Sequence, residues 1–291
     1  MTTSTTRGLL LVGSAAVIWS TGGVVLRLVE TTDSWTIIFW RSVWATLAIT
    51  GFVIARDRRE TRRSFRSVGG PGLIVAGGFA TASIALVIAI EKTSVANSLV
   101  ILSTAPLLAA ALARLVLGES VRRRTWFLMF LALLGVAVMV GGPGPSSSLT
   151  GDALAVLMPV GLAVATVTIR KYQHILMTPA MAVGTLIALV VAATQAGSLR
   201  VAAGDFVLLA AFGAIQLGLG LALYALGARV APPAEVAMVA LLEPVLGPIW
   251  PWLVVGERPG IATLIGGSIV LAAMVAHSAL DLRRRAMPPA A

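Results

Sequence analysis

The stretch ALLEPVLGPIWPWLVVGE, residues 240–257, is apolar and long enough to cross a bilayer, yet it carries Glu243, Pro244, Pro248 and Pro251. A second stretch, LSTAPLLAAALARLVLGE, residues 102–119, decides how to read it. At an offset of 138 residues Pro106 meets Pro244, Leu108 meets Leu246, Leu115 meets Leu253, Val116 meets Val254, and Gly118-Glu119 meets Gly256-Glu257. A further match, at an offset of 143, aligns GLLLVGSAAVIWSTGGVVLRL (8–28) with GDALAVLMPVGLAVATVTIRK (151–171), pairing Gly8 with Gly151 and Arg27 with Arg170. Five loop residues absorb the difference. The chain reads as an internal repeat, with halves at 1–146 and 147–291 and a seam rich in Gly, Pro and Ser at 141–152.

Composition sets the solvent. Of 291 residues 58% are hydrophobic and 12% charged, where a soluble domain carries roughly 25% charged residues. Too little charge is present to coat a globule in water, so the chain reads as an integral membrane protein. Ten runs approach the 20 or so apolar residues a crossing needs: about 8–28, 35–55, 70–90, 94–117, 125–142, 152–169, 179–198, 205–227, 234–255 and 260–279. They are longer than barrel strands and do not alternate, which predicts an all-α bundle of ten transmembrane helices. The N-terminal run continues to Val29 and is read as a retained span rather than a cleaved signal peptide.

The net charge of +10 would suggest nucleic acid in a soluble chain, but here the basic residues cluster between apolar runs. With a cytoplasmic N-terminus, 16 Lys and Arg fall on the inner side and 4 on the outer. That bias predicts an inner-membrane protein with both termini cytoplasmic, its partners being the lipid bilayer and a small-molecule substrate, with no nucleic acid. The cluster RDRRETRRSFR reads chiefly as a topology determinant. There is no cysteine, no metal-ligand cluster around His174 or His277, and no HExxH, GxSxG or Walker A motif. An enzyme, a metal centre and a cofactor are therefore not expected.

Five runs per half is an odd number, so the second half is predicted to enter the membrane upside down. Two inverted five-helix repeats are the architecture of secondary transporters, where exchange of conformation between similar halves gives alternating access. Ionisable residues inside spans then become candidates for the transport site. Arg41 sits about two turns below the outer surface; it either snorkels or pairs structurally, or it faces a substrate cavity. Glu243 sits near mid-membrane and has three readings: a structural hydrogen bond, a substrate or proton site, or a lipid-facing position. Ala105 is the repeat counterpart of Glu243 and no charge aligns with Arg41, so neither charge is duplicated. Asn97, Ser103 and Gln216 are neutral polar candidates, and Trp19, Trp40 and Tyr224 are aromatic ones. Helix-to-helix bonding and plain packing are the competing readings for all six. Pro106 and Pro244 are candidate hinges, because proline removes a backbone donor and disturbs the helix.

Taken together, the two halves, the Arg of the second span, the LEP of the ninth and the closing Gly-Glu of both halves resemble the EamA-type drug/metabolite transporters over residues 8 to 280. Within that superfamily the chain is most similar to YddG-type amino-acid exporters. The resemblance implies a basket of helices around a central cavity, with the fifth and tenth spans peripheral. It also implies export of small metabolites, amino acids including aromatic ones, without ATP. A multidrug or toxic-cation exporter on the same fold is the alternative.

Overall fold

The computed structural model describes residues 3–92, 101–119, 121–140, 149–256 and 260–286, and all regular structure among them is helical. The first half contributes α1 (Thr3–Ser20), α2 (Gly22–Leu28), α3 (Ser34–Asp57), α4 (Thr61–Ser67), α5 (Gly69–Lys92), α6 (Ala105–Leu117) and α7 (Arg123–Val140). The second contributes α8 (Leu149–Ala155), α9 (Leu157–Lys171), α10 (Thr178–Gln195) and α11 (Ala203–Ala211). A π-helical segment (Phe212–Leu219) then leads into α12 (Gly220–Ala228), α13 (Pro233–Ala240), α14 (Leu242–Leu246), α15 (Ile249–Val255) and α16 (Ile261–Ala286). Among the described residues six helical stretches are long and apolar enough to cross a membrane: Ser4–Leu28, Ser34–Ser67, Thr150–Lys171, Thr178–Gln195, Ala203–Ala228 and Pro233–Val255. Shorter apolar helices lie at Gly69–Ala85, Ala105–Leu117 and Ile261–His277. The described parts of all ten predicted runs are helical apart from short breaks. Large apolar side chains such as Leu10, Leu115, Phe127 and Val207 are exposed. That arrangement is stable against lipid tails and unfavourable in water.

Neighbouring helices come mostly from opposite halves. The first run of each half packs on the third run of the other, α1 on α12 and α9 on α5. The second runs pack on each other (α3 on α10), as do the fourth (α6 on α13) and the fifth (α7 on α16). Close approach depends on glycine. A Cβ at Gly8 would lie 2.9 Å from the Gly227 carbonyl oxygen, one at Gly78 2.6 Å from that of Gly161, and one at Gly135 2.8 Å from that of Gly266.

The repeated stretch carries its breaks with it. In the first copy a turn at Ser103–Thr104 precedes α6, with Pro106 in its first turn. In the second copy a turn at Leu241, the counterpart of Ser103, precedes α14, which contains Pro244. The chain breaks again at Gly247–Pro248, so the span from 233 to 255 is three short helices. Both copies end on a left-handed glycine, Gly118 at φ 69° and Gly256 at φ 75°, the helix-ending conformation that costs glycine least. Gly118 and Gly256 thus end their helices; Glu257, like residues 141–148, lies outside the described residues.

Polar ties mark the two ends of the bundle. At one end Arg170 donates to the carboxylate of Glu119 (3.2 Å), the side chain of Gln173 and the carbonyl of Arg229. At the other, the buried Asp205 carboxylate accepts from the backbone amides of Glu30 (3.0 Å) and Thr31 (2.9 Å) and from the Thr31 hydroxyl (2.6 Å). Asp33 caps α3 there through the amide of Trp35. Burial pushes the Asp33 carboxyl up, but hydrogen bonds from the Thr36 side chain and the amides of Trp35, Thr36 and Gly197 outweigh it and hold it below its ordinary value.

Candidate functional site

A cavity of about 160 Å³ lies where the two halves meet. Helical spacing selects its walls. Trp19 enters from the last turn of α1, Arg41 and Ser42 from α3, and Phe79, Ala82 and Ser83 from one face of α5. From the second half come Gly184, Thr185 and Ala188 on α10, Gln216 and Leu217 on the π segment, Leu221 on α12, and Glu243 on α14. A wider helical turn rephases the side chains that follow it, and single π turns recur at functional sites.

Arg41 turns into the bundle rather than snorkelling out. Its Nη2 donates to Ser83 Oγ at 3.2 Å and its guanidinium lies over the Phe212 ring at 5.3 Å. Its buried Nε has no partner. Glu243 lines the same cavity, which removes the lipid-facing reading. Arg41 and Glu243 are both ionisable groups facing one cavity. Among the described residues, however, no ion pair within 4.0 Å joins them. Gln216 donates from Nε2 to the Trp19 carbonyl (2.9 Å), which lies at the break between α1 and α2, and its buried Oε1 is unpartnered. The indole nitrogen of Trp19 is likewise unpaired. Arg41, Gln216, Trp19 and Glu243 therefore line one cavity, and the unpaired buried polar atoms among them are costly.

The remaining candidates lie elsewhere. Tyr224 is fully buried behind the cavity, with its hydroxyl 2.7 Å from that of Thr166 and its ring packed against Trp19 (5.2 Å) and Phe79 (5.8 Å). Trp40 does not line the cavity. It donates to the Leu199 carbonyl and packs on Phe206 near the Asp205 end, because its place on α3, one residue before Arg41, turns it about 100° away. Ser103 is buried at the turn before α6, away from the cavity. Pro106 and Pro244 follow the matched breaks described above. Asn97 lies outside the described residues. Sequence reading missed Ser42 and Thr185 as cavity residues. Neither carried a distinguishing signal, since small hydroxyl residues recur throughout the spans. Among the described residues no group of three His, Asp or Glu side chains could hold a metal ion.

An all-helical bundle with ionisable groups on an interior cavity fits a small-molecule membrane transporter. A solved crystal structure shares this fold, with TM-score 0.81, over 94% of this chain and 98% of its own, at 16% sequence identity. No curated protein matches the chain in sequence. The description of the EamA-like transporter family matches it twice, at residues 6–141 and at 149–278. The chain belongs to the EamA-like transporter family, and is a multi-pass membrane transporter of small molecules.

Proposed function

We propose that this transporter exports zwitterionic metabolites, amino acids including aromatic ones, across the bacterial inner membrane, as YddG-type exporters do. Ten crossings form two inverted five-helix repeats, 1–146 and 147–291, with both termini cytoplasmic. Support for inversion comes from the ends of the two copies. Helix α6 runs towards Glu119 and the Arg170 cluster. Its counterpart α15 runs beside α2, which leads into the loop bound by Asp205.

One observation carries the substrate class. Arg41 and Glu243, from opposite halves, face one cavity without touching, beside the unpaired Oε1 of Gln216 and the apolar faces of Trp19, Phe79 and Leu221. A carboxylate fits Arg41 and an ammonium group fits Glu243 and Gln216, while the apolar faces take a hydrocarbon or aromatic side chain. Alternating access follows as the halves rock and the matched breaks before Pro106 and Pro244 absorb the change in angle. The test is uptake of labelled amino acids into proteoliposomes by the wild type, Arg41→Ala and Glu243→Gln. Full activity in both variants removes these residues from the site.

The aromatic faces of Trp19 and Phe79 beside Glu243 favour a second reading, export of organic cations. Resistance of cells to quaternary ammonium compounds with no amino-acid flux would select it.

A further inference from the structure

Glycine inside a helix costs roughly 0.5–1 kcal/mol relative to alanine, so a retained glycine needs a reason. Most helical glycines here either meet nothing, as at Gly23, Gly51 and Gly77, or sit under the backbone of a crossing helix. Gly220 is different. A Cβ there would overlap the Trp19 indole, with Nε1 the nearest atom, Cδ1 at 2.5 Å and Cε2 at 3.0 Å. The indole edge thus lies on bare backbone at the first residue of α12.

Trp19 has few ways to leave that seat. One turn further along α12 stands Tyr224, fully buried and tied to Thr166. The backbone carbonyl of Trp19 is held by Gln216. No hydrogen bond holds the indole nitrogen, so shape alone sets the ring's position. The open space beside the ring is the cavity that Trp19 lines. We infer that Gly220 is a specificity-determining residue: its missing side chain lets Trp19 lie back and so sets the bore of the cavity. A side chain at 220 drives the indole forward and excludes bulky occupants before small ones. The selectivity for substrates rests on the transport-site reading above; the bore itself does not.

The chain contains no cysteine, so Ala188→Cys on the cavity wall gives a single reporter thiol. Its labelling in membranes is measured with a small methanethiosulfonate, the ethylammonium, and a bulky one, the benzyl. Gly220→Ala is expected to slow the benzyl reagent by about tenfold more than the small one, the scale of one methylene of misfit in an apolar pocket. Adding Trp19→Ala to the same chain is expected to restore the benzyl rate. Equal slowing of both reagents, unchanged rates, or no restoration would overturn the inference. Should Gly220→Ala fail to fold, Trp19→Ala alone must speed benzyl labelling, and an unchanged rate overturns the inference equally. Amino-acid flux is measured in parallel on cysteine-free protein. Predicted labelling with no wild-type flux would defeat the substrate reading and leave the bore intact. Normal flux with unchanged labelling would do the reverse.

Discussion

Arg41 and Thr185, on helices from opposite halves, line the same cavity. The Thr185 hydroxyl lies 2.8 Å from that of Thr46 on α3. Thr185→Val keeps the shape and removes the bond. It should lower stability by about 1 kcal/mol and reduce flux far less than Arg41→Ala, read by thermal unfolding in detergent and by liposome uptake. A flux loss as large as that of Arg41→Ala would place Thr185 in direct contact with the substrate.

The matched glycines make a second prediction. Left-handed backbone costs a residue with a Cβ roughly 1–2 kcal/mol. Gly118→Ala and Gly256→Ala should each lower the unfolding temperature on that scale. Gly51→Ala is the control. Gly51 lies within α3, and a Cβ there meets nothing within 4 Å, so the change should be neutral or stabilising.

Asp205 offers a third. Its two oxygens accept three hydrogen bonds from Glu30 and Thr31, and asparagine keeps only one accepting oxygen. Asp205→Asn should cost about 1–3 kcal/mol and expose the 29–33 loop to protease. Unchanged cleavage would mean that the loop is held by other contacts.

Asp33 makes the pH-dependent prediction. Hydrogen bonds hold its carboxyl below the ordinary aspartate value of 3.8. A depressed carboxyl contributes stability that is present above the unfolded-state value and lost as pH falls through the lower folded-state value. The wild type should therefore be more stable than Asp33→Asn at pH 7, with the gap closing below 3.8. A gap that is constant with pH would show that the ionised cap adds nothing.

Much of this molecule is legible in its sequence, for physical reasons. Apolar runs report membrane crossings because lipid demands them, and a proline or a helix-ending glycine leaves the same local signature wherever it occurs. The break before Pro244 and the cap at Gly256 could thus be read beside Pro106 and Gly118. Facing was harder to read. In a helix apolar on all sides, periodicity does not separate the cavity from lipid or from a neighbouring helix. Trp40 and Arg41 are adjacent, yet only Arg41 reaches the cavity. The π segment left no mark in GAIQLGLG, where any glycine-rich packing face would read alike. Gly220 was legible only as a small residue, since its role depends on a ring 201 positions away in sequence.

Arg41 is proposed to bind a carboxylate and Glu243 the ammonium group of the same substrate. The direct measurement is liposome uptake of an amino acid and of its decarboxylated amine, by the wild type and by Arg41→Ala. Arg41→Ala should reduce amino-acid uptake by about tenfold or more, the worth of a charge-assisted hydrogen bond at 1.5–3 kcal/mol, and leave amine uptake near the wild-type rate. Equal loss of both substrates, or undiminished amino-acid uptake, would contradict the account.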